Sequence, residues 1–152
     1  MVIEQFTGQL EDLRSLGDCW KSEGNGDAMG IEIDIDIFLA GIGEMMLRSC
    51  DRVFVARDDD AYIGLLGIQT FMSPMGRQRI ANEHYWYVLP EYRGSAGIRL
   101  IQAARKWVKD QKCSHFILNA SWLSSGLHDR VCNLCERMGM QKLETSYIER
   151  IL

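Results

Sequence analysis

Apolar residues recur along the chain with two different periods, and each change of period marks a new element. Runs rich in β-branched and aromatic residues predict six strands, at 2–6, 52–57, 62–72, 84–89, 115–120 and 141–152. Apolar residues spaced three and four apart predict four helices, at 10–21, 35–48, 97–108 and 131–138. The predicted order of elements is therefore β-α-α-β-β-β-α-β-α-β.

The passage 31–48 fits both periods. Isoleucines alternate with acidic residues over 31–37, as in a half-buried strand, whereas the apolar residues from Ile35 to Met46 fit one face of a helix. Asp34 is a favourable N-cap and Asp36 suits the first helical turn. We predict a few extended residues followed by a helix over 35–48.

The connections between the predicted strands indicate the fold class. Short turns join the strands between 52 and 89, which predicts an antiparallel meander. The helix at 97–108 separates the strands at 84–89 and 115–120, so those two can be parallel. We expect an α/β (α+β) fold with a mixed, mainly antiparallel sheet flanked by helices on both faces, forming a single domain over 1–152.

Composition excludes several classes of protein. The 152 residues are 47% hydrophobic and 25% charged, which is typical of a globular chain. A net charge of −4 argues against a nucleic-acid-binding protein. No apolar run approaches the roughly 20 residues that span a bilayer, and the N-terminus lacks a basic segment followed by an apolar one. We expect a cytoplasmic protein with no membrane or nucleic-acid partner.

The cysteines and clustered acids do not predict a metal site. Five cysteines, an odd number, fit a reducing compartment better than a disulfide framework. Cys132 and Cys135 form a C-x-x-C motif inside a helical pattern, without a second pair at zinc-site spacing. The acidic run 58–60 is typical of a turn, and no converging ligands are evident. We therefore predict no bound metal.

The stretch 83–108 organises the chain. An aromatic strand ends at Pro90, small residues follow over 94–97, and an amphipathic helix begins after them. The N-terminus of a helix presents unpaired N–H groups and partial positive charge, which suit a phosphate or pyrophosphate. A tight strand-to-helix turn without a ligand is the alternative, although Arg93 adds a cation that such a turn does not need.

The run Val88-x-Pro90-x-x-Arg93-Gly94 resembles the acetyl-CoA loop of the GCN5-related N-acetyltransferases (GNAT family), and the order of elements resembles theirs. The loop is one residue shorter than the family's usual pattern. The resemblance implies that the pyrophosphate of acetyl-CoA binds at the loop and that its pantetheine arm lies between two splayed strands. The implied coenzyme-binding residues are Tyr87, Val88, Leu89, Arg93, Gly94, Ser95, Ala96, Gly97, Ile98 and Arg99.

The chemistry of acetyl transfer to an amine requires a base, an oxyanion donor and an acid. Glu83 is the candidate base, because family members often keep a carboxylate there; His84 points to the opposite face unless a bulge intervenes. The backbone N–H of Val88 is the candidate oxyanion donor. Cys135 stands where the family often has the tyrosine that acts as the general acid. His128 and Tyr147 are therefore further candidates for proton transfer.

The function that this resemblance implies is direct acetyl transfer from acetyl-CoA to a primary amine of a small molecule or a protein. Cys135 in the tyrosine position leaves open a catalytically inactive acyl-CoA-binding or partner-binding module. The shortened loop leaves open a structural domain without coenzyme. The acidic balance slightly favours cationic acceptors, and the terminal strand offers an edge through which a homodimer could form.

Overall fold

A computed structural model gives the structure of residues 1–24, 26, 30–121 and 126–151. The strands are β1 (Val2–Gln5), β2 (Asp51–Asp58), β3 (Ala61–Met72), β4 (Arg79–Val88) and β5 (His115–Ile117). The helices are α1 (Arg14–Glu23), α2 (Ile35–Leu47), α3 (Ser95–Asp110) and α4 (His128–Arg137). Short 3₁₀ turns at Leu10–Leu13 and Pro90–Tyr92 precede α1 and α3.

The five strands form one sheet in the order in which they occur in the chain. β1 to β4 pair antiparallel with their neighbours, and β5 pairs parallel with β4. The predicted meander and the predicted parallel pair are both confirmed. The two strands of that pair can be parallel because α3 carries the chain back across the sheet.

Helices cover both faces of the sheet, as the sequence predicts. One core cluster joins α1 and α2 to the sheet and includes Leu16, Phe38, Ile42, Leu65 and Tyr87. The other joins α3 to the opposite face and includes Leu66, Ile68, Val88, Leu100 and Ala104, with Leu134 and Met138 packed against it from α4 and the residue after it. The two clusters identify which side chains of β4 face which helices.

The passage 31–48 is helical from Ile35, which confirms that interpretation of its ambiguous pattern. The Asp34 carboxylate accepts hydrogen bonds from the backbone N–H groups of Asp36 (2.9 Å) and Ile37 (3.1 Å). These bonds satisfy two of the helix's unpaired donors and begin the helix at a defined residue. The buried stripe consists of Ile35, Phe38, Leu39, Ile42 and Met45.

A β-bulge at His84 changes which face each β4 side chain occupies. Tyr85 pairs with Gly67 and Glu83 pairs with Ile68, so His84 has no partner residue on β3. Tyr85 packs on the α1/α2 side, whereas Ile68, the partner of Glu83, belongs to the α3 cluster. Glu83 therefore faces α3 and α4, in the middle of the strand rather than at its end.

The predicted sixth strand is wrong for the described residues 141–151, which form no strand. Leu143, Tyr147 and Ile151 would share one face of such a strand, with polar residues between them, yet that face is not buried. Leu143, Tyr147, Ile148 and Ile151 are instead 54–94% exposed. β5 is also shorter than predicted and ends at Ile117, which leaves little edge for another strand.

The sequence also predicts loops at 22–30 and 122–127. Positions 25 and 27–29 of the first loop, positions 122–125 of the second and position 152 of the predicted terminal strand lie outside the described residues. α1 continues to Glu23 and so includes the first two residues of the predicted loop 22–30. Within the described part of the chain, no helix is both long and apolar enough to cross a bilayer.

Candidate active site

A wedge-shaped gap opens between β4 and β5. The two strands pair only through Ile80–His115, Ala81–Phe116 and Asn82–Ile117. β4 then continues to Val88 along β3, while β5 has already ended. The edge of β4 beyond Asn82 is therefore open on the β5 side, where backbone groups can pair with a ligand.

The backbone around Val88 shows which groups this open edge offers. The Leu89 N–H donates to the Ile63 carbonyl of β3 (2.9 Å), so it points away from the gap. Neighbouring residues of a strand direct their backbone groups to opposite edges, and the Val88 N–H therefore points into the gap. The Val88 carbonyl on that side accepts a hydrogen bond from Arg93 Nε (3.0 Å). Of the backbone groups of these two residues, the N–H of Val88 is thus placed for a ligand and that of Leu89 is not.

The N-terminus of α3 follows directly after this edge. Gly94 caps the helix with φ +91°, a conformation that side-chain-bearing residues rarely adopt. The first bond of the helix runs from the Ile98 N–H to the Gly94 carbonyl (3.1 Å). The N–H groups of Ser95, Ala96 and Gly97 therefore form the first turn, whose donors have no partner within the helix.

The helix begins earlier than the sequence predicts. Gly97 is the third residue of α3 rather than its first, and it is buried. A Cβ at Gly97 would lie 3.6 Å from Cζ2 of Trp86, so this position packs against β4. Pyrophosphate donors are consequently expected at 95–97, while the Ile98 N–H is already used inside the helix.

Arg93 and Arg99 make contacts within the protein. The Arg93 guanidinium forms an ion pair with Glu23 at the end of α1 and lies 5.7 Å from the ring centroid of Tyr87. Arg99 donates from Nη1 to the Met1 carbonyl (3.2 Å). Both side chains are therefore already partnered in this conformation, although the sequence predicts that both help to hold the coenzyme.

Glu23 connects α1 to the turn before α3. Its carboxylate also accepts a hydrogen bond from the Tyr87 hydroxyl (2.9 Å). The hydrogen bond from Arg93 holds the pKa of Glu23 below its usual range, with Tyr87 contributing in the same direction. Burial, and then the neighbouring Glu23 carboxylate, raise the pKa of Tyr87. Tyr87 thus contacts α1 through its side chain, on the face opposite Glu83.

Glu83 is 8% exposed and lies one residue beyond the last β4–β5 pair. Its Oε2 accepts hydrogen bonds from the backbone N–H of Asn119 (3.1 Å) and from Asn119 Nδ2 (3.0 Å). Burial raises the pKa of Glu83, and the two bonds from Asn119 partly oppose that rise. A carboxyl group whose pKa is raised is better suited to accept a proton near neutral pH.

The candidate proton donors occupy different surroundings. Burial, and to a smaller degree the Cys132 thiol and the Glu83 carboxylate, raise the pKa of Cys135. His128 begins α4, where its Nδ1 lies 3.0 Å from Asp129 and its ring nitrogens lie 3.8–3.9 Å from Cys132 Sγ. Tyr147 is 94% exposed. The structure therefore brings Cys135 towards Glu83 and leaves Tyr147 in solvent.

Two residues of the site are not identified by the sequence analysis, namely Glu23 and Asn119. Asn119 interrupts the apolar run that extends from Phe116 to Ala120, and a polar residue within an apolar run is a usable signal. Glu23 carries no comparable signal, because an acidic residue before a glycine-rich loop normally faces solvent.

Solved structures of acetyltransferases share this architecture. A ribosomal-protein-alanine N-acetyltransferase from Brucella melitensis biovar Abortus 2308 is 18% identical, with a TM-score of 0.69 over 99% of this chain and 100% of that one. An aminoglycoside 6'-N-acetyltransferase from Acinetobacter haemolyticus is also 18% identical, with a TM-score of 0.71 over 100% and 99% of the two chains. An aminoglycoside N-acetyltransferase in complex with CoA, again 18% identical, gives 0.74 over 99% and 93%.

At this level of identity the structural similarity establishes the fold alone. No curated protein matches the chain significantly in sequence. The sequence model of the acetyltransferase (GNAT) family, however, matches residues 12–140, which include every element from α1 to α4. The chain belongs to the GNAT family of acetyltransferases.

Proposed function

We propose that the protein is an N-acetyltransferase that transfers the acetyl group of acetyl-CoA directly to a primary amine. The observation that carries this proposal is the position of Glu83, a buried carboxylate at the narrow end of the β4–β5 gap. Glu83 shares its side of the sheet with α3, whose first turn presents unpaired N–H groups. The proposed base and the proposed anion-binding helix terminus thus lie along one edge of β4.

The residues along the gap fit acetyl-CoA. Gly94 and Ser95 are exposed where α3 begins, and nothing lies within 4 Å of the position of a Cβ on Gly94. The N–H groups of Ser95, Ala96 and Gly97 would hold the pyrophosphate. The open edge of β4 would bind the pantetheine arm, with the Val88 N–H donating to an oxygen placed in the gap. When bound, acetyl-CoA supplies an acetyl group activated as a thioester.

Glu83 would take a proton from the acceptor amine. An amine must be neutral to act as a nucleophile, and a carboxylate in a buried position accepts its proton more readily than one in water. The carboxylate points towards α3 and α4, the side on which Cys135 also lies. No acylated enzyme residue is required in this arrangement.

The proton that the departing thiolate needs has two candidate sources in α4. Cys135 lies within electrostatic reach of Glu83, and its raised pKa keeps the thiol protonated at neutral pH. His128 lies at the start of the same helix and is the candidate proton carrier from solvent. Tyr147 would have to move from its exposed position before it could act.

An acetyl-transfer assay tests the proposal. The purified protein is incubated with acetyl-CoA and a panel of a polyamine, an aminoglycoside, free amino acids and short peptides, and the products are identified by mass spectrometry. Glu83→Gln should lower kcat by about 10²–10⁴-fold with little change in the Kd of acetyl-CoA. Glu91→Gln is the matched control, because Glu91 is an exposed carboxylate in the neighbouring 3₁₀ turn.

The assay also separates the proposal from its main alternative. Cys135 stands in the position of the tyrosine that acts as general acid in the family. This substitution favours the alternative of a module that binds acyl-CoA without catalysing transfer. Tight binding of acetyl-CoA with no acetylated amine in the panel would support that module. A wild-type rate in Glu83→Gln would contradict the role proposed for Glu83.

A further inference from the structure

Asn119 closes the narrow end of the β4–β5 gap. Its Nδ2 donates to the backbone carbonyl of Glu83 (2.9 Å), the first residue of β4 beyond the strand pairing. The same nitrogen donates to Glu83 Oε2 (3.0 Å) and lies 3.4 Å from Oδ1 of Asn82. Three acceptors around one nitrogen fix the orientation of this amide, because the Asn119 oxygen could not replace the nitrogen there.

The contacts also distinguish the two oxygens of the Glu83 carboxylate. Oε2 accepts both hydrogen bonds from Asn119, one from the backbone N–H and one from the side chain. Oε1 makes no hydrogen bond to any residue that the structure describes. The carboxylate is therefore held by one oxygen, which leaves the other to receive a proton.

We propose that Asn119 is a positioning residue that holds Glu83 by Oε2 and presents Oε1 to the acceptor amine. This inference rests on the proposed function, since it assigns to Asn119 the orientation of the proposed base. Asn119 acts through Glu83 and need not touch either substrate. It follows β5 in the chain, outside the V-x-P-x-x-R-G run that resembles the GNAT pattern.

Asn119 also influences the charge of Glu83. A hydrogen bond to a carboxylate stabilises its ionised form, which here opposes the effect of burial. Among the described residues, the other ionisable groups on this side are the Cys135 thiol from α4 and the Arg105 guanidinium from α3, which donates to the Met138 carbonyl (3.2 Å). β3 contributes the apolar Ile68 opposite Glu83. Asn119 is thus the neighbour that bonds directly to the carboxylate.

The first experiment measures Glu83 itself and needs no activity. The pH titration of the Glu83 side-chain carboxyl carbon is followed by ¹³C NMR, with Glu83→Gln used to assign the signal. In Asn119→Ala one of the two hydrogen bonds to Oε2 is lost, so the titration midpoint should rise by about one pH unit. An unchanged midpoint would overturn the inference.

Asn82→Ala is the matched control. It removes the third acceptor of Asn119 Nδ2 and leaves both bonds to the Glu83 carboxylate in place. Its midpoint should equal that of the wild type, and an equal rise in both variants would overturn the inference by indicating a general loosening of the gap. If Asn119→Ala does not fold, Asn119→Ser keeps a small polar side chain, and a smaller rise is expected.

The second experiment uses the reaction. The acid limb of the pH profile of kcat/KM should move to higher pH in Asn119→Ala by the same amount as the NMR midpoint, while the Kd of acetyl-CoA changes less than the rate. A shifted acid limb is not expected of a residue that merely supports the fold. If no amine is acetylated by any variant, the proposed function fails, whereas the NMR result still decides whether Asn119 controls Glu83.

Discussion

Arg93, in the turn before α3, forms an ion pair with Glu23, the last residue of α1. The same guanidinium donates to the Val88 carbonyl (3.0 Å), and Glu23 also accepts from Tyr87 (2.9 Å). A single charged pair therefore joins α1, the end of β4 and the start of α3. Because the chain enters the loop between α1 and α2 directly after Glu23, this pair connects that loop to the candidate coenzyme site.

Removing the charge of Glu23 should loosen this connection. Glu23→Gln replaces the ion pair with Arg93 by a hydrogen bond to a neutral acceptor, and we expect a loss of about 1–2 kcal/mol in the free energy of unfolding. The Kd of acetyl-CoA should rise less than tenfold, because the backbone donors of α3 remain. Denaturant unfolding and calorimetric titration measure the two effects.

Glu11→Gln is a matched control for this variant. Glu11 pairs with Arg14 on the surface near the start of α1, and both side chains are more than a third exposed. Solvent screens such pairs, so the unfolding midpoint should not change measurably. Equal destabilisation by the two variants would contradict a special role for Glu23.

The conformation of Gly94 makes a second prediction. A Cβ at this position would meet nothing within 4 Å, yet φ is +91°. Gly94→Ala should therefore cost of order 1–3 kcal/mol through backbone strain alone, and it should weaken acetyl-CoA binding by displacing the first turn of α3. Thermal unfolding and calorimetry would measure both changes.

Gly126→Ala provides the comparison, because a Cβ there also meets none of the described residues within 4 Å and its φ is outside the left-handed region. This variant should unfold at the wild-type temperature or slightly above it. If Gly94→Ala were as stable as Gly126→Ala, the turn before α3 would not require glycine.

The close approach of Tyr85 to Gly41 leads to a third prediction. A Cβ on Gly41 in α2 would overlap the Tyr85 hydroxyl oxygen. Trp20 and Phe38 contact the Tyr85 ring edge to face, with centroids 6.3 and 5.4 Å away, so the ring has little room to move. Gly41→Ala should destabilise the protein by about 1–3 kcal/mol, measured by denaturant unfolding.

A second substitution identifies the cause. Tyr85→Phe removes the oxygen that would overlap, and the next ring atom lies 3.4 Å from where the Cβ of an alanine at position 41 would be. In the Tyr85→Phe background, Gly41→Ala should therefore be close to neutral, because alanine also favours the helix. The same loss in both backgrounds would show that the overlap is not responsible.

Burial of Glu83 makes stability depend on pH. Its pKa in the folded protein is raised, so between the unfolded and folded pKa values the native state binds more protons than the unfolded state. Stability from this group therefore falls as pH rises through that window and is constant above it. Glu83→Gln lacks this effect, so its stability relative to the wild type should increase with pH.

Urea unfolding of the wild type and of Glu83→Gln between about pH 4.5 and pH 8 measures the difference in their free energy of unfolding. The increase should level off once pH exceeds the folded pKa of Glu83. A difference that does not vary with pH, or that decreases, would show that the carboxyl is not held in a buried environment.

Local patterns predict the fold well where they act within one element. The Asp34 cap and the apolar stripe of α2 are encoded by nearby residues, as is the turn at Gly94. The order of elements and the V-x-P-x-x-R-G run indicate the family without any knowledge of contacts. These features depend on spacing along the chain.

Features that depend on contacts between distant residues cannot be predicted in this way. The bulge at His84 arises from the register of β3 and β4, and it turns Glu83 towards α3 and α4. Asn119 meets Glu83 only because β5 is parallel to β4 and ends at Ile117. The segment after Gly139 has a pattern that predicts a strand, but its apolar side chains find no buried face to pack against and remain exposed.

The central claim is tested most directly by calorimetric titration of the protein with acetyl-CoA, CoA and adenosine 3',5'-bisphosphate, which lacks both the pantetheine arm and the pyrophosphate. If the β4 edge and the first turn of α3 form the site, acetyl-CoA and CoA should bind with a Kd in the micromolar range, and the truncated nucleotide should bind far more weakly. Equal affinity for all three, or no binding of acetyl-CoA, would contradict a coenzyme site in the β4–β5 gap.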